Sequence, residues 1–89
     1  MRAIMTVTGL DHVGIFAAVT TKLAQLGVNI LDVSQTLMDE YFTAILLCDL
    51  SRSEHSIQQV REAMREVEQQ ERLSIQLQSE EIFKAMHTI

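Results

Sequence analysis

Seven consecutive residues, Gly9-Leu10-Asp11-His12-Val13-Gly14-Ile15, carry the main chemical promise of this chain. They end an apolar run, Ile4-Met5-Thr6-Val7-Thr8, and open a helix-like run from Phe16 to Leu26, so they sit at a strand-to-helix junction. A helix start presents unbonded backbone N–H groups and a partial positive charge, and it can hold a carboxylate or a phosphate. Gly14 has no Cβ and would let a ligand come close to that first turn. Asp11 is expected to cap the helix by accepting from its early N–H groups. Such a carboxylate competes with an incoming anion but can meet an ammonium, which favours a zwitterion over a phosphate.

Other chemistry is weaker. Asp11-His12 invites an acid–base reading, but adjacent side chains rarely converge on one point, and no third group is seen to orient the imidazole. His12, His55 and His87 lack metal-ligand spacing, and Asp39, Glu40 and Asp49 lack an EF-hand pattern. No P-loop lysine follows Gly14, and the dinucleotide fingerprint is incomplete. No metal or cofactor is expected. A second polar stretch, Asn29-Ile30-Leu31-Asp32, opens the next apolar run. Asn29 supplies a donor and an acceptor, and Asp32 an acceptor. Equally, Asn29 suits a turn at a strand start.

The elements that must position these groups follow from periodicity. Residues of about 2–9 read as a strand, with Ala3, Met5 and Val7 on one face and Ile4, Thr6 and Thr8 on the other. Phe16, Val19, Leu23 and Leu26 form one face of a helix over about 12–26, closed by Gly27. Val28 to Met38 and Tyr41 to Asp49 read as an antiparallel hairpin around Asp39-Glu40, a pair so unlike the usual two-residue turns that a longer turn is expected. Ser51 with Glu54 fits a capping box ahead of a second helix, whose apolar face is Ile57, Val60, Met64 and Val67. Leu73, Ile75 and Leu77 alternate with polar residues as a fourth strand, and Ile82, Phe83, Met86 and Ile89 mark a short terminal helix with one apolar face. The order βαββαβ predicts an α+β, ferredoxin-like domain: a four-stranded antiparallel sheet with two helices on one face, plus the short C-terminal helix. All of residues 1–89 are expected in a single domain.

Two helices cover one face of such a sheet, yet the third strand is apolar on both. Phe42, Ala44, Leu46 and Cys48 alternate with Tyr41, Thr43, Ile45 and Leu47. An apolar face left open usually marks an interaction surface, and a homodimer is the expected answer, the alternative being a C-terminal tail that folds back and covers its own sheet. A formal charge of −5 argues against nucleic acid and against an anionic membrane surface. Only four aromatics are present, too few for the base-stacking strands of an RNA-binding βαββαβ domain. The single Cys48 cannot form an internal disulfide, and no run reaches transmembrane length, so a cytoplasmic location is expected.

Thr6-Val7-Thr8-Gly9-Leu10-Asp11-His12-Val13-Gly14-Ile15, followed by Leu26-Gly27-Val28-Asn29-Ile30-Leu31-Asp32, resembles an ACT domain. Asp32-Val33-Ser34-Gln35-Thr36, Asp39-Glu40-Tyr41-Phe42 and Ile82-Phe83-Lys84-Ala85-Met86 are similar to the small stand-alone members, so the resemblance spans the chain. The first loop also resembles the N-terminal ACT domains of formyltetrahydrofolate deformylases and of the glycine-cleavage repressor. The resemblance implies a non-catalytic regulatory module that dimerises and binds an amino acid or related metabolite at the subunit interface. Carried over residue by residue, the ligand-binding positions are Leu10, Asp11, Gly14, Asn29 and Ile30. The competing expectation is a scaffold that binds another protein and no metabolite. A third, an enzyme built on Asp11 and His12, has the least support.

Overall fold

The computed structural model describes residues 1–86. Seven elements follow one another: β1 (Arg2–Leu10), α1 (Ile15–Gln25), β2 (Asn29–Met38), β3 (Tyr41–Asp49), α2 (Ile57–Glu71), β4 (Leu73–Ser79) and α3 (Glu80–Met86). The four strands form one antiparallel sheet in the order β2-β3-β1-β4. This is the expected ferredoxin-like arrangement with its additional terminal helix. Ile89, expected on that helix, lies outside the described residues.

Strand alternation divides the sheet as the sequence implies. Ala3, Met5 and Val7 of β1, Phe42 to Cys48 of β3 at alternate positions, and Leu73, Ile75 and Leu77 of β4 are buried under α1 and α2. The helices add Ile15, Val19 and Leu23 from α1 and Val60, Met64 and Val67 from α2. The opposite face carries the cross-strand rows Leu47–Ile4 and Ile45–Thr6 at its centre, and Ile45 is 41% exposed. The central apolar strip therefore faces outward, as expected from the two-faced composition of β3. α3 packs back against β1 and β4, with Arg2 paired to Glu80 at 3.1 Å, and leaves Ile82 and Met86 exposed.

Several local expectations are corrected. α1 begins at Ile15, and its buried face is Ile15, Val19 and Leu23, spaced by four; Phe16 is 38% exposed. Asp11 does not cap α1. Its backbone N–H donates to Glu40 O at 2.8 Å, which extends the β1–β3 ladder and holds Asp11 short of the helix. The capping box falls at Ser56 and Gln59 rather than Ser51 and Glu54: Ser56 Oγ accepts from Gln59 N–H, and Gln59 Oε1 accepts from Ser56 N–H. Ser51 N–H is instead taken by the Asp49 carboxylate at 3.0 Å. The β2–β3 turn is only Asp39-Glu40, since Met38 pairs with Tyr41. Asp39 makes this short turn by adopting a φ of 55°, a conformation Asp tolerates better than most residues. Gly27 closes α1 with a φ of 75°, as expected.

Candidate functional site

The register brings three of the five expected ligand-binding residues together. Leu10 ends β1 opposite Tyr41, Asp11 is tied to the β2–β3 turn, and Gly14 immediately precedes α1. Gly14 has φ 96° and ψ −2°, a left-handed conformation that favours glycine. Among the described residues, apart from its chain neighbours, no atom lies within 4 Å of where its Cβ would stand. α1 has no side-chain cap and no acid in its first turn. Its first backbone bond runs from Ala18 N–H to Gly14 O at 2.9 Å, so the N–H groups of Ile15, Phe16 and Ala17 have no acceptor within the helix. They can receive an anionic group, and Val13, fully exposed beside them, offers it an apolar neighbour.

Asn29 and Ile30 lie elsewhere. Asn29 pairs with Asp49, which pairs with Arg2, at the opposite end of the strands from the Leu10–Tyr41 row. The eight positions from Tyr41 to Asp49 correspond to roughly 26 Å. Asn29 lines a separate cleft of about 420 Å³ with Ala24, Gly27, Val28, Asp49 and Arg52. Ile30 is half-buried and turns toward the core opposite Cys48. Asp49 titrates below the usual carboxylate range because Ser51 donates hydrogen bonds to it.

The sequence shows no group to orient His12. The structure finds its ring at the C-terminus of α2, fifty-nine positions away: Nε2 is 2.9 Å from Glu71 O, and Nδ1 is 3.2 Å from Val13 O. The Glu71 carboxylate stands 3.8 Å from Nδ1. These carbonyl contacts, Glu71 first and Val13 second, raise the His12 pKa above its usual value. His12 and Glu71, with Leu10, Asp11, Gln70 and Arg72, border a cleft of about 350 Å³. Gly9 lets β4 approach this loop, because a Cβ there would stand 2.7 Å from Leu73 Cδ2. Cys48 is buried and its thiol is pushed up to about 11 by desolvation, which makes it a poor nucleophile. Among the described residues, no group of three His, Cys, Asp or Glu side chains is placed to hold a metal ion. No helix among them is long and apolar enough to cross a membrane.

Residues 2–78 match the ACT domain family. The chain belongs to that family. Its relatives include a UPF0237 protein of Corynebacterium diphtheriae, 53% identical over 89 residues, with both chains covered completely. Among solved structures, an ACT domain protein from Streptococcus pneumoniae superposes with a TM-score of 0.82 at 41% identity, covering 98% of each chain. A formyltetrahydrofolate deformylase from Pseudomonas syringae gives a TM-score of 0.81 at 20% identity, and this ACT domain covers 27% of it, which speaks to fold alone. The family supports a regulatory role for the domain.

Proposed function

We propose that this ACT domain is a non-catalytic, cytoplasmic sensing module that binds an amino acid or related small carboxylate between two copies of itself. The observation that carries this reading is the separation of the two expected half-sites. Leu10, Asp11 and Gly14 stand at one end of the sheet and Asn29 and Ile30 at the other. β2 lies at the sheet edge, is ten residues long, and has Asp32 as its single charged residue. An edge strand so lightly protected is a template for pairing. Antiparallel pairing of β2 with β2 of a second copy, about a two-fold axis near the strand centre, would bring Asn29 of the partner subunit to the Met38 end of the first strand. That is the end at which Gly14 stands. A ligand carboxylate on the α1 N-terminus would then face polar groups from both copies.

The test is a thermal-shift screen of amino acids on the full chain, with its assembly followed by sedimentation. Ligand at 100 times its dissociation constant should add about 2.7 kcal/mol of stability. A melting point unmoved by every amino acid and related carboxylate would remove the sensing reading.

The outward apolar strip favours a second reading, a scaffold that binds another protein. Ile45 on the open face and Ile82 and Met86 on α3 are exposed. On that reading Gly14→Val leaves assembly intact while Ile45→Glu disrupts it. The sensing reading requires Gly14→Val to abolish the ligand-induced shift.

A further inference from the structure

One peptide bond of the loop has its carbonyl against the His12 ring: Nδ1 lies 3.2 Å from Val13 O. The φ of 96° and ψ of −2° at Gly14 match the third residue of a type II turn. Among the described residues, Asp39 and Arg72 are the non-glycine positions with positive φ, so Val13 has the negative φ that type II requires at its second residue and type I′ forbids. Type I and type II turns differ by a half-rotation of the central peptide, here the one joining Val13 to Gly14. In a trans peptide the C=O and the N–H point in opposite directions. Whatever holds Val13 O therefore also decides where the Gly14 N–H points.

Among the described residues, the His12 ring touches two acceptors and no donor: Val13 O at Nδ1 and Glu71 O at Nε2. A neutral imidazole carries one N–H and can donate to only one of them, leaving a lone pair against the other oxygen. The imidazolium donates to both. We propose that His12 is the positioning residue of the ligand loop: protonated, it holds the Val13–Gly14 peptide with the Gly14 N–H turned away from the imidazole, and neutral, it keeps its one proton on Nε2 for the shorter contact to Glu71 O and releases that peptide. The inference rests on the reading above only in taking this loop as the ligand-contacting one.

The surroundings favour the charged ring. The C-terminus of α2 presents the negative end of its dipole through Glu71 O. The Glu71 carboxylate lies 3.8 Å from Nδ1, and Asp11 on the loop adds attraction. Arg72, which follows α2 and borders the same cleft, opposes it. Glu40, on the β2–β3 turn, reaches the loop through its main-chain carbonyl to Asp11 N–H. The carbonyl contacts already lift His12 above the ordinary imidazole value.

The experiment is a ¹H–¹⁵N NMR titration of the ligand-free full chain between about pH 5 and about pH 9, with the His12 ring followed in parallel. The expected result is a His12 midpoint above about 6.5 and a Gly14 amide resonance that inflects at the same midpoint. His12→Gln cannot titrate, and it is expected to remove the Gly14 inflection while the sheet amides keep their positions. A Gly14 resonance that ignores the His12 midpoint, or an inflection that survives in His12→Gln, overturns the proposal. Because no ligand is used, a flat Gly14 resonance would leave the sensing proposal standing. A silent amino-acid screen would end that proposal and leave this titration intact.

Discussion

The two long helices of this domain begin in opposite ways. α2 starts with a reciprocal capping box in which Ser56 and Gln59 satisfy each other's backbone N–H groups. α1 starts at Gly14, with no side-chain cap and open space where a Cβ would be. The first arrangement closes a helix end against solvent and ligands alike. The second leaves three N–H groups without an acceptor inside the helix, at the end of the molecule where Leu10 and Asp11 also stand. Stabilising a helix start and offering it to a ligand are competing uses of the same N–H groups; α2 is closed by its capping box, and α1 has no side-chain cap.

That contrast can be broken most forcefully at Gly14. Gly14→Val forces a β-branched residue into a left-handed φ, at a cost of about 1–3 kcal/mol, and fills the space beside the α1 N-terminus. A lowered melting point is expected together with loss of the amino-acid response; a variant that still responds in full would separate the ligand from this helix start. Ser56→Ala should cost about 1 kcal/mol by opening the capping box. For a chain of this size that lowers the melting point by about 4–8 °C, with the ligand response unchanged. Phe16→Glu should do the reverse at the other helix. An acid in the first turn of α1 should stabilise it by about 0.3–1 kcal/mol and weaken carboxylate binding, which calorimetry would read directly. A gain in carboxylate affinity would contradict the open-terminus reading.

The smallest effect is the pH dependence at His12. Its pKa is raised in the folded protein, so its contribution to stability is fully present below the unfolded-state value of about 6.5 and is lost as pH rises through the folded-state value. Urea midpoints of the parent chain and of His12→Gln, compared across that window, should therefore converge as the pH rises. Parallel curves would remove His12 from the account.

The sheet was legible in the sequence because period-two alternation is a local signal. Ala3, Met5 and Val7, like Leu73, Ile75 and Leu77, declare their faces without reference to distant residues. Helix starts were less legible. Ser51-x-x-Glu54 and Ser56-x-x-Gln59 present the same pattern, and the choice falls to Ser56 because Asp49 claims the Ser51 N–H and Ile57 is the first residue anchored against the core. Asp11 looked like a cap, but Glu40 holds its backbone in the sheet, a tertiary contact no window of sequence contains. The candidate site divides in the same way. The Leu10–Gly14 loop could be read from its glycines and its place between elements. The meeting of His12 with Glu71 arises only when the crossovers stack α2 beside the loop. The separation of Gly14 from Asn29 is a property of strand direction, and the βαββαβ order already allows it, because the start of β2 need not lie near the loop that follows β1.

The burial of Cys48 makes it a built-in clock. Its thiol sits on β3 between Ala3 and Ile30, and desolvation pushes its pKa up to about 11. A thiol reagent can react only with molecules whose sheet has opened, so the labelling rate at fixed pH counts opening events in the core near the Asn29 end of the sheet. Followed with and without an amino acid, that rate would report how far occupancy at the edge of the domain steadies its interior.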